Sequence, residues 1–377
     1  MPGIYIHIPF CRQACSYCDF YFTTYFGYSE KLVDALIYEI RERNTGSGQG
    51  KIGTLYLGGG TPSALADVEL FRIVDAVRKH HSLDDSAEIT MEVNPDDVSF
   101  EKAAGYLGIG INRISMGVQS FRDKDLRKLN RRHDANAALN AVGVLLDSGF
   151  ENVSIDLIYG LPGLTTADWE YSLDTAFGLN ISHLSAYHLS YEPGTVLFYK
   201  REKGKIREVD EELSAEQFDM LVSKATSAGF VQYEISSFAR NGRFSKHNTA
   251  YWTGEPYIGI GPSAHSFDGR VRRWNTRGIM TYIKKVKEGS GYFESEVPDG
   301  ITRQNEYIMT ALRTMWGADL EKMDREFGLG AGERLCRRSQ AFIDNGNVIR
   351  RDNRLLLSGK GMLIADYIIR ELFLDHE

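Results

Sequence analysis

Three cysteines fall close together, Cys11, Cys15 and Cys18, in the segment His7-Ile8-Pro9-Phe10-Cys11-Arg12-Gln13-Ala14-Cys15-Ser16-Tyr17-Cys18-Asp19-Phe20. The remaining cysteine, Cys336, stands near the other end of the chain. Three crowded thiols with no local fourth are a poor match for structural zinc, which is closed by four ligands. They suit a 4Fe–4S cluster with three irons on thiolates and one iron open to a small molecule. Zinc, or chance burial of three small side chains, is the plainer alternative.

Other residues able to do chemistry are scattered. Gly58-Gly59-Gly60-Thr61-Pro62 frees backbone N–H groups and lets a ligand come close. Taken alone it is a turn. Glu92, Gln119, Arg131 and Asp156 could meet ribose hydroxyls or a carboxylate, or be ordinary surface polarity. Asp156 stands apart, because it interrupts the apolar run 155–158 and would be costly to bury unpaired. His247, Tyr251 and Trp252 combine a common iron ligand with flat rings, against the bland reading of a loop histidine with packing aromatics. His7, His188 and His265 read as structural hydrogen-bonders. Arg270, Arg272, Arg273 and Arg277, with Trp274 among them, read as a solvated face or as contacts for propionates or phosphates.

These residues follow elements in a regular order. Short β-rich runs at 4–8, 54–57, 88–93, 113–118, 153–158 and 183–190 alternate with helical patterns at 29–43, 67–81, 134–148 and 167–179. Ser29 is the expected cap of the first helix. The alternation implies a parallel sheet with right-handed crossovers. The cysteines, the triple glycine, Glu92 and Gln119 all sit at the ends of strands, where a β/α barrel keeps its active site. A partial six-unit barrel is therefore expected within residues 1–290, and a small helical, winged-helix-like domain within 300–377. A helix at 210–228 and a strand at 231–238 follow the barrel, and 200–205 and 287–291 read as loops. Helices at 305–316, 320–327 and 331–345 precede a hairpin at 348–357 and a last helix at 359–373.

The chain has 377 residues, 42% of them hydrophobic, and a formal charge of −7. The acidic balance argues against nucleic acid despite Arg337, Arg338, Arg350 and Arg351 in the second domain. No apolar run reaches a bilayer-spanning length, and no signal peptide is evident. Crowded thiols fit a reducing compartment, so the cytoplasm is expected.

Together the motifs resemble the radical S-adenosylmethionine superfamily, whose three-cysteine spacing and aromatic before the third cysteine match Cys11, Cys15, Tyr17 and Cys18. The resemblance implies that the open iron takes the methionine end of S-adenosylmethionine, and that the reduced cluster cleaves its sulfonium to a 5′-deoxyadenosyl radical. The match runs on to the oxygen-independent coproporphyrinogen III oxidase family, through 5–11, 58–62, 117–121 and 156–162. Carried over by motif, Tyr5, Gly59, Gly60, Thr61, Glu92, Gln119, Arg131 and Asp156 would contact the cofactor. Within that family the chain resembles the haem-chaperone branch more than the oxidase. Phe20 stands where the oxidase has a fourth cysteine, and a first strand from about Ile4 leaves no N-terminal lid. His247-Asn248-Thr249-Ala250-Tyr251-Trp252 fits the branch's His-Asn-x-x-Tyr-Trp. By resemblance the cofactors are a 4Fe–4S cluster, S-adenosylmethionine and haem. His247 is the haem candidate, and the partner is a haem-accepting protein of unknown identity. A homodimer is left open, and oxidative decarboxylation of coproporphyrinogen III is the alternative activity. Ser263 departs from the branch, which has glycine there, so the local backbone is in question.

Overall fold

The computed structural model describes residues 1–43 and 50–375. Six parallel strands form its centre: β1 (Gly3–Ile8), β2 (Ile52–Gly59), β3 (Leu83–Val93), β4 (Arg113–Gln119), β5 (Val153–Tyr159) and β6 (His183–His188). They are hydrogen-bonded in chain order, β1 to β6. The crossovers carry α1 (Ser29–Glu42), α2 (Asp67–His80), α3 (Phe100–Gly108), α4 (Asp123–Lys128), α5 (Ala135–Asp147) and α6 (Thr166–Gly178). Strand order without a reversal is that of a barrel; a doubly wound sheet reverses at a switch point. The barrel is partial, because β1 and β6 do not pair with each other.

Side-chain alternation on these strands separates two environments. Ile4, Ile6 and Ile8 of β1, Ile89, Met91 and Val93 of β3, and Ile114, Met116 and Val118 of β4 are buried in one apolar cluster with Leu36, Leu70 and Leu145 of the helices. Each such side chain contributes roughly 1.5–3 kcal/mol by leaving water. The intervening positions are polar: Tyr5 and His7, Thr54 and Tyr56, Glu88 and Glu92, Arg113 and Ser115, Ser154 and Asp156, His183 and Ser185. With a two-residue period, these face the barrel interior.

Both open edges are extended. After α7 (Val196–Glu202) and α8 (Glu211–Ser227), the hairpin β7 (Val231–Glu234) and β8 (Ser237–Ala239) continues the sheet beyond β6. After α9 (Lys246–Thr253), β9 (Tyr257–Ile260) lies parallel to β1 and leads to β10 (His265–Phe267), β11 (Arg272–Asn275) and, past α10 (Ile279–Lys287), β12 (Phe293–Glu296). Covered edges discourage pairing with other chains. A second apolar cluster lies in the C-terminal part and includes Ile308, Leu312, Met323, Leu335, Leu355 and Ile368. It is built from α11 (Gly300–Leu312), β13 (Ala318–Asp319), α12 (Leu320–Phe327), α13 (Ala331–Arg338), α14 (Gln340–Asp344), β14 (Val348–Arg351), β15 (Arg354–Leu357), α15 (Gly359–Leu363) and α16 (Ala365–Leu372). The antiparallel sheet β13-β15-β14 beside helices gives it winged-helix character.

Several local expectations need correction. Ser29 does not cap α1; the cap position is Tyr28, with no side-chain bond. Residues 200–205 are helical as far as Glu202, because Thr195 caps α7 by accepting from the Phe198 N–H. The single strand expected at 231–238 is a hairpin, turned where the Glu234 carboxylate accepts from the Ser236 N–H at 3.0 Å. The helix expected at 331–345 breaks at Ser339, and the last helix breaks at Ile364. The helix expected at 305–316 is α11, which starts at Gly300 behind an Asp299 cap and ends at Leu312. Of the arginine stretch, Arg270 and Arg277 are exposed, as on a solvated face, whereas Arg272 and Arg273 lie in β11, between β10 and β12: Arg272 pairs with Glu296 and Glu306, and Arg273 lies over the Phe293 ring.

Two features anchor the β9 extension. Glu39 of α1 is fully buried and accepts from the Gly261 N–H at 2.9 Å, Asn275 Nδ2 at 2.9 Å and the Tyr282 hydroxyl at 2.5 Å. Burial raises its carboxyl pKa, opposed by these donors. Ser263 sits at φ +66°, in the left-handed region where glycine is unstrained. Glu39→Ala should cost about 3–5 kcal/mol, since it strips several buried donors of their acceptor. Urea unfolding checks this, and a loss under about 1 kcal/mol would contradict it. Ser263→Gly should raise stability by up to about 1 kcal/mol, strain relief exceeding glycine's added chain entropy. A lowered melting temperature would count against that strain.

Candidate functional site

The cysteine loop leaves β1 and is closed at its base by two backbone bonds, Cys11 N–H to Thr23 O at 3.0 Å and Thr23 N–H to Pro9 O at 2.7 Å. Buried Phe10 stacks on Phe26 beneath it. The far side is tied to the turn after α4, where the Ser16 N–H donates to Leu129 O at 3.0 Å and Asn130 Nδ2 to Ala14 O at 2.7 Å. All three thiols are free and half-buried. They line a cavity of about 470 Å³ together with Gly59, Gly60, Thr61, Glu92, Gln119, Arg131 and Asp156. This volume lies in the usual range for a small-molecule site.

The triple glycine is required by crowding. A Cβ on Gly60 would meet the backbone of Pro9 and Phe10 within 2.9 Å, and one on Gly59, at φ +107°, would overlap the His7 ring. Gln119 is also left-handed, at φ +68°, where the β4–β5 register shifts, so the strand turns its last side chain into the cavity.

Charge is distributed as follows. Arg131 Nη1 donates to Cys15 Sγ at 3.4 Å, and its Nη2 donates to Asn94 Oδ1 and Gly117 O, both at 2.6 Å. The Thr61 hydroxyl donates to Cys11 Sγ at 3.5 Å. Glu92 accepts from the Tyr56 hydroxyl at 2.9 Å and the Gly59 N–H at 3.1 Å. Burial, with nearby Asp156, pushes its pKa up to about 7. Burial raises Asp156 to about 6, against donation from the Ser185 and Ser115 hydroxyls and the pull of Arg113. Burial, with the neighbouring Cys15, raises the Cys11 thiol to about 11 and the Cys18 thiol to about 12. Thiolates here therefore need a positive partner, which iron supplies. Among the described residues no three His, Cys, Asp or Glu side chains converge on one ion. A 4Fe–4S cluster instead takes its thiolates on separate irons.

Not every expected residue meets the cavity. Tyr5 lies behind the glycine turn, where its hydroxyl is 3.0 Å from His7 Nδ1. Phe20 is on the cavity rim and 68% exposed. His247 is at the opposite, N-terminal end of the strands, buried, with Nδ1 2.7 Å from the Thr54 hydroxyl and Nε2 2.8 Å from the Tyr251 hydroxyl. Burial lowers its pKa to about 3, so the ring is neutral. Both ring nitrogens are engaged, and in this conformation neither is free for iron.

Sequence reasoning passed over Arg113, Ser115, Ser185 and Tyr187, which also line the cavity. Arg113 is 1% exposed, and its Nε and Nη1 have no partner among the described residues. The period-2 alternation of polar side chains along β4 to β6 was the available signal. An unpaired buried guanidinium, two raised carboxyls and a backbone pressed against glycine make a cavity that fits a polar, hydroxyl-bearing cofactor.

The raised Glu92 has a consequence for stability. The folded, cofactor-free chain keeps a proton that the unfolded chain releases between pH 4.5, the ordinary value, and about 7. This contribution is complete below the ordinary value and is lost as pH rises toward 7. The stability of Glu92→Gln relative to the parent should therefore increase by about 3 kcal/mol across that window. Urea midpoints at a series of pH values measure it, and a pH-independent difference would refute it.

Comparison with known proteins agrees with this geometry. Residues 5–176 match the model of the radical SAM superfamily. The haem chaperone HemW of Bacillus subtilis is 33% identical over 98% of this chain and 98% of its own. HemW of Mycobacterium tuberculosis is 34% identical, over 98% and 94%. The mitochondrial radical S-adenosyl methionine domain-containing protein 1 of Danio rerio is 35% identical, over 100% and 87%. The structure of the radical SAM coproporphyrinogen III oxidase HemN from Escherichia coli superposes with a TM-score of 0.85 at 23% identity, covering 99% of this chain and 90% of that one. The chain belongs to the radical SAM superfamily and, within it, to the HemW family.

Proposed function

We propose that the protein is a haem chaperone of the cytoplasm that binds haem and passes it to an acceptor protein, and that it carries a 4Fe–4S cluster and S-adenosylmethionine. The observation that carries this reading is the end-to-end similarity to proteins named haem chaperones, 33% over 98% of both chains. Phe20, in place of a further thiol beside Cys18, supports it against the oxidase.

Cys11, Cys15 and Cys18 would hold the cluster. The N–H groups of the glycine turn, Thr61 and the Arg131–Asn94 pair would hold the amino-acid end of the cofactor, and Glu92, Asp156 and Gln119 its sugar and base. When bound, the cluster supplies an electron to the cofactor's sulfonium. The chain's own residues set the conditions. Arg131 offsets thiolate charge at Cys15. Glu92, raised to about 7, can hold or release a proton at neutral pH. His247 reaches haem only if its bond to Tyr251 opens; as folded it is a keystone of the barrel floor.

The test is anaerobic. Reconstituted protein is given reductant, S-adenosylmethionine and coproporphyrinogen III, and tetrapyrrole products are quantified together with 5′-deoxyadenosine. In parallel, haem is titrated by its absorbance change. The chaperone reading expects saturable haem binding and no decarboxylated product. Protoporphyrinogen formed over many turnovers would make the protein an oxidase, and absent haem binding would end the chaperone reading.

A further inference from the structure

The helix that carries the His-Asn-x-x-Tyr-Trp motif separates two cavities. Asn248 lines the cofactor cavity from below. Lys246, Thr249, Ala250 and Thr253, one face of α9 at helical spacing, line a second cavity of about 730 Å³ at the N-terminal ends of the strands. His247 and Tyr251 point from the helix into the barrel, bonded to each other. We propose that this second cavity is the haem site, so that haem is held on the barrel face opposite the cluster, with α9 between them. The inference rests on the haem reading above.

The lining suits a flat apolar ring with two carboxylates. Leu107, Phe150, Phe244 and Ala250 supply apolar wall. The three carboxylates present are already occupied. Glu88 accepts from the Lys246 and His247 N–H groups at the start of α9, at 3.2 and 3.1 Å. Glu151 pairs with Arg243 at 3.0 Å, and Glu255 with the terminal amine at 3.0 Å. The exposed Lys246 ammonium has no ion pair among the described residues. The Arg243–Glu151 pair is exposed, so Arg243 can turn to a propionate at little cost.

The location also fits delivery. A cavity on the face away from the cysteine loop gives an acceptor protein access to haem without uncovering the cluster. With His247 turned inward, retention there rests on ring burial and propionate pairing, both reversible.

The experiment uses the full chain with its cluster reconstituted, and haem as the probe. Haem is titrated into the parent, Lys246→Glu, Ala250→Trp and Lys31→Glu, with cluster iron and melting temperature measured on each. Lys246→Glu lies on the surface and tests charge without disturbing packing; Ala250→Trp fills the cavity. Both should weaken haem binding by about tenfold or more with parental iron content. Lys31→Glu, the same charge reversal on the exposed face of α1 and outside both cavities, should bind haem as the parent does. Parental affinity in both Lys246→Glu and Ala250→Trp would overturn this site. So would loss of haem binding on saturation with S-adenosylmethionine, which would place haem in the cofactor cavity. Failure of the parent to bind haem would overturn the chaperone reading itself.

Discussion

A barrel that is to hold a charged cofactor must carry polar groups where closed barrels pack branched hydrocarbon, and must do so without water to solvate them. Here the central element of that arrangement is Arg113, which starts β4, is almost fully buried and lines the cofactor cavity. It favours the ionised forms of Glu92 and Asp156 while burial disfavours them, and burial prevails for both. The lumen thus sets Arg113 beside two carboxyls whose pKa values are both raised toward neutrality. Two guanidinium nitrogens without a partner keep this arrangement expensive among the described residues. A ligand that brought hydroxyls to these groups would be bound partly because it satisfies them, and would stabilise the folded chain by doing so.

The opposite end of the barrel meets the same constraint differently. Ser245 caps α9 by accepting from the Asn248 N–H, and the Glu88 carboxylate faces the first N–H groups of the helix. Such a charge is favourable at a helix N-terminus. Neutral His247 then fills the space under Tyr56, with ring centroids 5.1 Å apart. Trp252, from the next turn, lies beneath the Arg313 guanidinium at the end of α11. Arg313 also lies 3.7 Å from Glu234, and the Met315 N–H donates to Tyr233 O. One short helix therefore closes the barrel, lines two cavities and seats the C-terminal domain.

The strand–helix alternation made the barrel legible, because each buried strand is a short β-rich run bounded by turn residues. The three-cysteine spacing and the glycine run were legible for the same reason, since local geometry imposes them. The edge extension was not. Strands β10 to β12 are short, β11 and β12 are charged, and the extension is stabilised by partners distant in sequence such as Glu39, whose role no local pattern announces. Arg113 was hidden because it reads as the first residue of a strand, and its meaning comes only from what lies across the barrel. His247 reads naturally as a ligand. Its burial depends on Thr54 and Tyr56, nearly two hundred residues earlier, which the sequence does not bring together. Ser263 was legible as an anomaly, and its positive φ gives the anomaly a physical form.

The two ends of the barrel are also mechanically joined. Tyr56 stacks on His247 below and donates its hydroxyl to Glu92 above, and Glu92 in turn accepts from the Gly59 N–H of the glycine turn. This is a continuous path of contacts from the motif helix to the cofactor cavity. Contact alone does not establish coupling; that needs an element with two arrangements that both sites bias. His247 is held in one arrangement, with both of its ring bonds made. In that arrangement His247 packs against the Tyr56 ring, and the Tyr56 hydroxyl is a donor that opposes the burial of Glu92. What is fixed is the order of support: the motif helix seats His247, His247 packs against Tyr56, and Tyr56 orients the carboxylate that holds the glycine turn.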